Sequence, residues 1–216
     1  MNSPAEIAKN YVAIGKGKTT MKASKLFVLG ILAGIFIAIA GVGASTASCS
    51  IGGSVGKLVG ACVFPAGLTL VILAGSELFT GNCLIIISVL EKEATIAGML
   101  RNWVIVYLGN FVGSIFVAWG MTACHQLSLF DDALAGATIN TAVAKVSMSF
   151  GDAFLKGIFC NMLVCLAVWL GFSSKSAAGK IAALFYPIMV FVVSGFEHSI
   201  ANMFYGPAGL FAMGNA

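Results

Sequence analysis

The 216-residue chain is 59% hydrophobic and only 9% charged, with a mean hydropathy of +1.00, far from the roughly one-quarter charged composition of soluble globular domains. That balance excludes a soluble domain and predicts an all-α, polytopic membrane protein. The net charge of +4 decides little by its total, because the placement of cations sets membrane orientation, and it gives no sign of a nucleic-acid partner.

The first 25 residues carry five lysines and no apolar core, so no cleaved leader is expected. Ser3-Pro4 is the pattern of an N-cap followed by a first-turn proline, and Ile7, Tyr11 and Ile14 fall near one face. A short amphipathic helix on the cytoplasmic membrane surface is predicted, with a linker to residue 25. Leu26 to Ala47 is an apolar run of 22 residues, enough to cross a hydrocarbon core of about 30 Å at about 1.5 Å per residue.

Gly56 to Leu90 is too long for one straight span: 35 mostly apolar residues whose one acidic side chain is Glu77. The helix is predicted to break within Gly75-Ser-Glu-Leu-Phe-Thr-Gly-Asn82. Non-helical backbone at membrane depth is tolerated where protein buries it or where it lines a cavity, so this segment points to a conduit. Asn102 to Cys124 makes the next span, with Gly109, Gly113 and Gly120 available for close packing. His125 to Lys145 is more polar and is expected to be an external loop, with no role for His125. Phe150 to Phe172 follows as a span, and Ser173 to Lys180 as a short return.

The last apolar run is interrupted at Ser194-Gly-Phe-Glu-His-Ser-Ile-Ala-Asn202. Glu197 and His198 at bilayer depth are costly, a central charge by about 2.5–3.5 kcal/mol on insertion scales, and such residues usually mark a pathway. The plainer alternative is that they satisfy each other between packed helices.

The two interruptions resemble one another. Phe64-Pro65 precedes Glu77 and Asn82, and Tyr186-Pro187 precedes Glu197 and Asn202. One Glu-x-x-x-x-Asn per half, with the halves running in opposite senses, is the inverted-repeat plan of many transport proteins. The units are 26–124 and 146–216, in a single domain of 1–216. The second has no counterpart of the third span, so five of six spans are expected, with the sixth missing. Lys9, Lys16, Lys18, Lys22, Lys25, Lys92, Arg101, Lys175 and Lys180 fall on one side and Lys57, Lys145 and Lys156 on the other, which puts the N-terminus in the cytoplasm. The six cysteines show no C-x-x-C pair and suggest small buried apolar residues, with no disulfide framework or metal site. No cofactor motif is present.

Glu-Leu-Phe-Thr-Gly-Asn at 77–82 and Gly-Phe-Glu-His-Ser-Ile-Ala-Asn-Met-Phe at 195–204 resemble the formate/nitrite transporter family, and the similarity covers the whole chain. The resemblance implies an aquaporin-like inverted repeat of three plus three spans with two interrupted helices. It also implies a homopentamer in the cell membrane and conduction of a small monovalent anion, with formate the family's default and nitrite or hydrosulfide the alternatives. Carried over residue by residue, it makes His198 the central histidine, Thr80 the threonine facing it, Asn161 the nearby asparagine and Lys145 the vestibule lysine. Phe64, Leu68, Leu78, Phe79, Val164 and Phe191 become constriction residues, while Glu77, Asn82, Glu197 and Asn202 support the loops.

Bland alternatives accompany these roles: Thr80 as a helix-break cap, Phe64 as core packing, Lys145 as a solvated loop lysine. At the level of the whole chain the rivals are a membrane enzyme using Glu197 and His198, a truncated subunit that does not conduct, and a water or glycerol channel. The enzyme lacks further converging polar groups and a cofactor site, and the water channel lacks paired Asn-Pro-Ala motifs.

Overall fold

The computed structural model describes residues 1–214; positions 215 and 216, at the end of the predicted second unit, lie outside the described residues. Every regular element among the described residues is helical. Helix α1 (Pro4–Thr20) starts at Ser3, whose hydroxyl accepts from the Glu6 amide while the Glu6 carboxylate accepts from the Ser3 amide, a reciprocal cap. Its face of Ile7, Tyr11, Gly15 and Thr19 is buried. The amphipathic helix is therefore present, but the chain's own helices cover that face.

After α2 (Ala23–Ser48) come α3 (Gly53–Val63) and α4 (Pro65–Ala74), joined at Phe64 where Pro65 takes the first-turn position it suits. The chain then runs without helix from Gly75 to Leu78 before α5 (Phe79–Asn82), a 3₁₀ turn at Cys83–Ile85 and α6 (Ile86–Leu90). The predicted break is there. Helix α7 (Ile96–Ala123) begins earlier than the sequence suggested, because Arg101 does not end the span. It lies inside the helix and donates to the Met21 carbonyl at 3.0 Å.

The expected external loop His125–Lys145 is not irregular. A left-handed stretch at Phe130, Asp131 and Asp132 leads into α8 (Ala133–Val146), which packs on the last helix. Leu134, Thr138 and Ala142, four residues apart, form its buried face, a period hidden by the polar composition. Then follow α9 (Phe150–Gly171), α10 (Ala177–Val193) and α11 (Ser199–Gly214), the last two separated by the second interruption. Helices α2, α3 with α4, α7 and α9 are long and apolar enough to cross a membrane.

The two units are built alike down to their turns. Gly75 (φ 77°) and Gly195 (φ 71°) end α4 and α10 in the left-handed conformation, which glycine adopts without a Cβ penalty. One residue on, the Ser76 amide reaches back to the Val71 carbonyl at 3.0 Å and the Phe196 amide to the Phe191 carbonyl at 3.1 Å, the C-terminal closure of a Schellman cap. Each following glutamate amide is then tied to the first helix of its own unit, Glu77 to the Leu29 carbonyl and Glu197 to the Lys156 carbonyl.

Helices α2 and α7 approach through glycine. A Cβ on Gly34 would strike the Asn110 carbonyl, one on Gly109 the Phe27 carbonyl and one on Gly113 the Ile31 carbonyl, so small residues set the spacing here, as in many membrane helix pairs. The cysteines depart from expectation. All six are free, but Cys160 alone is fully buried, and Cys62 and Cys124 are exposed. An apolar outer surface accepts a small thiol as readily as the core does.

Candidate functional site

Extended backbone at Leu78 turns Thr80 inward, and the break before α11 does the same for His198, so side chains 118 positions apart meet. Thr80 Oγ1 lies 3.1 Å from His198 Nε2; the residues are 3% and 4% exposed. The Ala201 amide donates to His198 Nδ1 at 3.1 Å. A backbone amide can only donate, so Nδ1 accepts and the proton of the neutral ring sits on Nε2, donating to Thr80. His198 thereby caps α11, whose positive helix end faces the contact.

Around this pair the apolar residues sort into two groups. Phe64 and Phe191 meet edge to face at 5.8 Å, and Phe191 stacks on His198 at 5.6 Å. Both phenylalanines line a vestibule of about 470 Å³ that reaches His198. Leu68 and Leu78, with Val168, line a second cavity of about 50 Å³ on the side of Tyr11, Lys18 and Phe172. Phe79 packs against the same apolar cluster as the leucines but does not line that small cavity. Adjacent residues of an extended segment point opposite ways, and its ring packs on Tyr107 at 5.0 Å and Trp103 at 6.0 Å. Val164 is buried one turn beyond Asn161 on α9. Asn161 shares a cavity of about 610 Å³ with Thr80 and His198; its Oδ1 is buried without a hydrogen-bond partner among the described residues.

The four loop-supporting residues form two matching clusters, each completed by a lysine. Lys18, from the last turn of α1, bonds both Glu77 carboxylate oxygens at 2.7 and 2.8 Å and Asn82 Oδ1 at 2.9 Å, while Asn82 Nδ2 donates to Glu77 at 2.7 Å. Lys145, from the last turn of α8, donates to Glu197 at 2.6 Å, and Asn202 Nδ2 donates to the same oxygen at 2.8 Å. The repeated unit thus includes a leading helix, α1 or α8, that delivers a cation to the interrupted loop.

Sequence reasoning missed Lys18 and the residues of α7 that hold the first loop. Asn110 donates to the Gly30 and Glu77 carbonyls at 2.7 and 2.9 Å and accepts from the Phe79 amide. Asn102 accepts from Asn82 at 2.9 Å, and the Trp103 indole donates to the Asn82 carbonyl at 2.9 Å. The signal was available: an asparagine within an apolar span is costly unless bonded. Beneath the loop, the Tyr11 hydroxyl donates to the Gly81 carbonyl at 3.3 Å. Burial, helped by the Glu77 charge, raises its pKa far above the ordinary phenol value.

Residues 5–216 match the family profile described as formate/nitrite transporter. The chain is 41% identical to the "Probable formate transporter" of Methanothermobacter thermautotrophicus, over 98% of this chain and 84% of that protein. Among solved structures it superposes on a "Pentameric formate channel with formate bound" with a TM-score of 0.78 and 40% identity, over 89% of this chain and 75% of that one. An "FNT family ion channel" gives a TM-score of 0.89 with 30% identity, over 96% and 84%.

Proposed function

The chain belongs to the formate/nitrite transporter family, and we propose that it conducts small monovalent anions, formate foremost, through a central site made by Thr80 and His198. One observation carries the reading: the 3.1 Å Thr80–His198 contact lies where two matching interrupted helices meet, with Phe64 and Phe191 on one side and Leu68 and Leu78 on the other. Apolar constrictions offer a desolvating anion no replacement ligands and so act as filters. Between them Nε2–H, the Thr80 hydroxyl and the N-terminal end of α11 present donors and favourable dipole to a small anion.

In this reading Asn161 and Val164 line the central chamber from α9, with Phe79 at its side, and Lys145 stands at the outer mouth holding Glu197. Glu77 and Asn82 do the same for the inner loop. Formate is favoured because the relative and one structural neighbour carry it in their names, and the pentameric neighbour supports a homopentamer with one pore per protomer. The lysine and arginine distribution supports a multi-pass protein of the cell membrane with α1 in the cytoplasm.

In the same reading His198, neutral at rest, takes up a second proton at Nδ1 in exchange for the Ala201 amide contact and returns it to a weak-acid anion in transit. The test is flux of formate, nitrite and hydrosulfide into proteoliposomes at two pH values, for the wild type, His198→Ala and His198→Gln. Selective formate flux whose pH dependence flattens in both variants is expected. No anion flux in the wild type would overturn the channel reading; an unaltered pH dependence in both variants would remove proton lending and leave the channel.

A further inference from the structure

The vestibule over Phe64, Phe191 and His198 is lined by three lysines: Lys57 of α3, Lys145 of α8 and Lys156 of α9. Glu197 is the single carboxylate among its lining residues. Lys145 and Glu197 are paired at 2.6 Å, with their side chains 20% and 11% exposed, so their charges largely cancel at the mouth. Lys57 and Lys156 form no ion pair among the described residues.

Both lysines contact the loop that carries His198, Lys57 from α3 and Lys156 from α9. A Cβ on Gly195 would stand 2.9 Å from Lys57 Nζ, and Gly195, at φ 71°, is a turn that other residues rarely adopt. The ammonium of Lys57 therefore rests against the backbone that turns toward Glu197. Lys156 receives the Glu197 amide on its own carbonyl at 3.4 Å. That bond fixes the Lys156 backbone against the loop, and both lysines line the same concave vestibule as Phe64 and Phe191, with neither ion-paired among the described residues.

We propose that Lys57 and Lys156, and not the paired Lys145, form a capture site for small carboxylate anions that loads the pore from this side. The proposal rests on the channel reading above. Like charges in a cleft with low-dielectric walls focus the field and raise the local concentration of the opposite ion. Salt screens such an effect over roughly 8–10 Å at 0.1–0.15 M. Capture cations accordingly act on the concentration dependence of flux and leave its maximum alone.

The experiment compares formate flux into proteoliposomes for wild type, K57Q, K156Q, K57Q/K156Q and K57R, with K175Q as a lysine control away from the mouth. It uses low and saturating formate, at low and high ionic strength. The expected result is about a tenfold loss in K57Q/K156Q at low formate and low salt, the lower end of steering effects. The loss should vanish at saturating formate, shrink at high salt and be absent from K57R and K175Q. A double variant indistinguishable from wild type, or one whose maximal flux falls equally at all salt concentrations, overturns the proposal. Formate-dependent thermal stabilisation of the detergent-solubilised protein separates the two readings. If wild type carries no flux, the channel reading fails. Capture then stands only if formate stabilises wild type more than K57Q/K156Q, and falls if it stabilises them equally.

Discussion

Thr80 accepts the Nε2 proton of His198 in a place where both side chains are buried, so replacing the hydroxyl leaves a desolvated donor without a partner. Such a loss costs about 1–3 kcal/mol. Thr80→Val should therefore lower thermal stability by that order and reduce formate flux, while Thr80→Ser should keep both near wild type; melting curves and proteoliposome flux measure the two. A valine variant with unchanged flux would reduce Thr80 to a helix-break residue. The sequence marked Thr80 and His198 through their motifs, but their mutual contact and the ring tautomer follow only from folding, which brings the Ala201 amide to Nδ1.

At the scale of the element, the unit of construction is a helix that hands a lysine to a broken span. Glu77 is 5% exposed, and breaking a buried pair by removing one partner costs about 3–5 kcal/mol because the other charge stays buried. Lys18→Met should destabilise by that order in thermal denaturation, and Lys18→Met/Glu77→Gln should recover most of the loss. Equal destabilisation in the single and double variants would mean that the pair contributes nothing specific. The docking of α1 has a pH signature as well. Lys16 and Glu93 are joined at 2.8 Å, which lowers the Glu93 pKa and raises that of Lys16, chiefly through the hydrogen bond. The depressed carboxylate contributes above its unfolded pKa and loses that contribution as pH falls through its folded value; the raised ammonium loses its share as pH rises through the folded lysine value. The protection factors of α1 amides, exchange rates corrected for the intrinsic pH dependence, should therefore fall at the acid and alkaline ends in wild type, and the change should be smaller in Glu93→Gln.

For the whole molecule, an outer surface of exposed apolar side chains, among them Val28, Val104, Phe116, Trp119 and Phe154, is of the kind that lipid or neighbouring copies cover. A homopentamer is expected in detergent, read as a single five-chain species by native mass spectrometry, and a monomer at all concentrations would count against it. The first interrupted loop is held by α7 through Asn102, Trp103 and Asn110. The second has no such clamp among the described residues, and Asn202 Oδ1 is buried there without a partner.

Local composition and period were enough for the apolar spans of α2 and α9, both interruptions, the glutamate and asparagine of each, and the close approach at Gly109 and Gly113, whereas Gly120, expected to pack in the same way, meets open space. These are legible because hydropathy, chain length and the need for glycine at a left-handed turn act within a few residues. Tertiary structure alone decided which cation meets which carboxylate. Lys18 lies 59 positions from Glu77 and Lys145 lies 52 from Glu197, distances at which no local period operates. It also decided that 133–146 is a helix, because only packing on α11 gives that mildly amphipathic segment a face to bury. Phe79 parted from Leu78 for the same kind of reason: an extended bond sends neighbours to opposite sides, and only the partners waiting there, Trp103 and Tyr107, decide which side each takes.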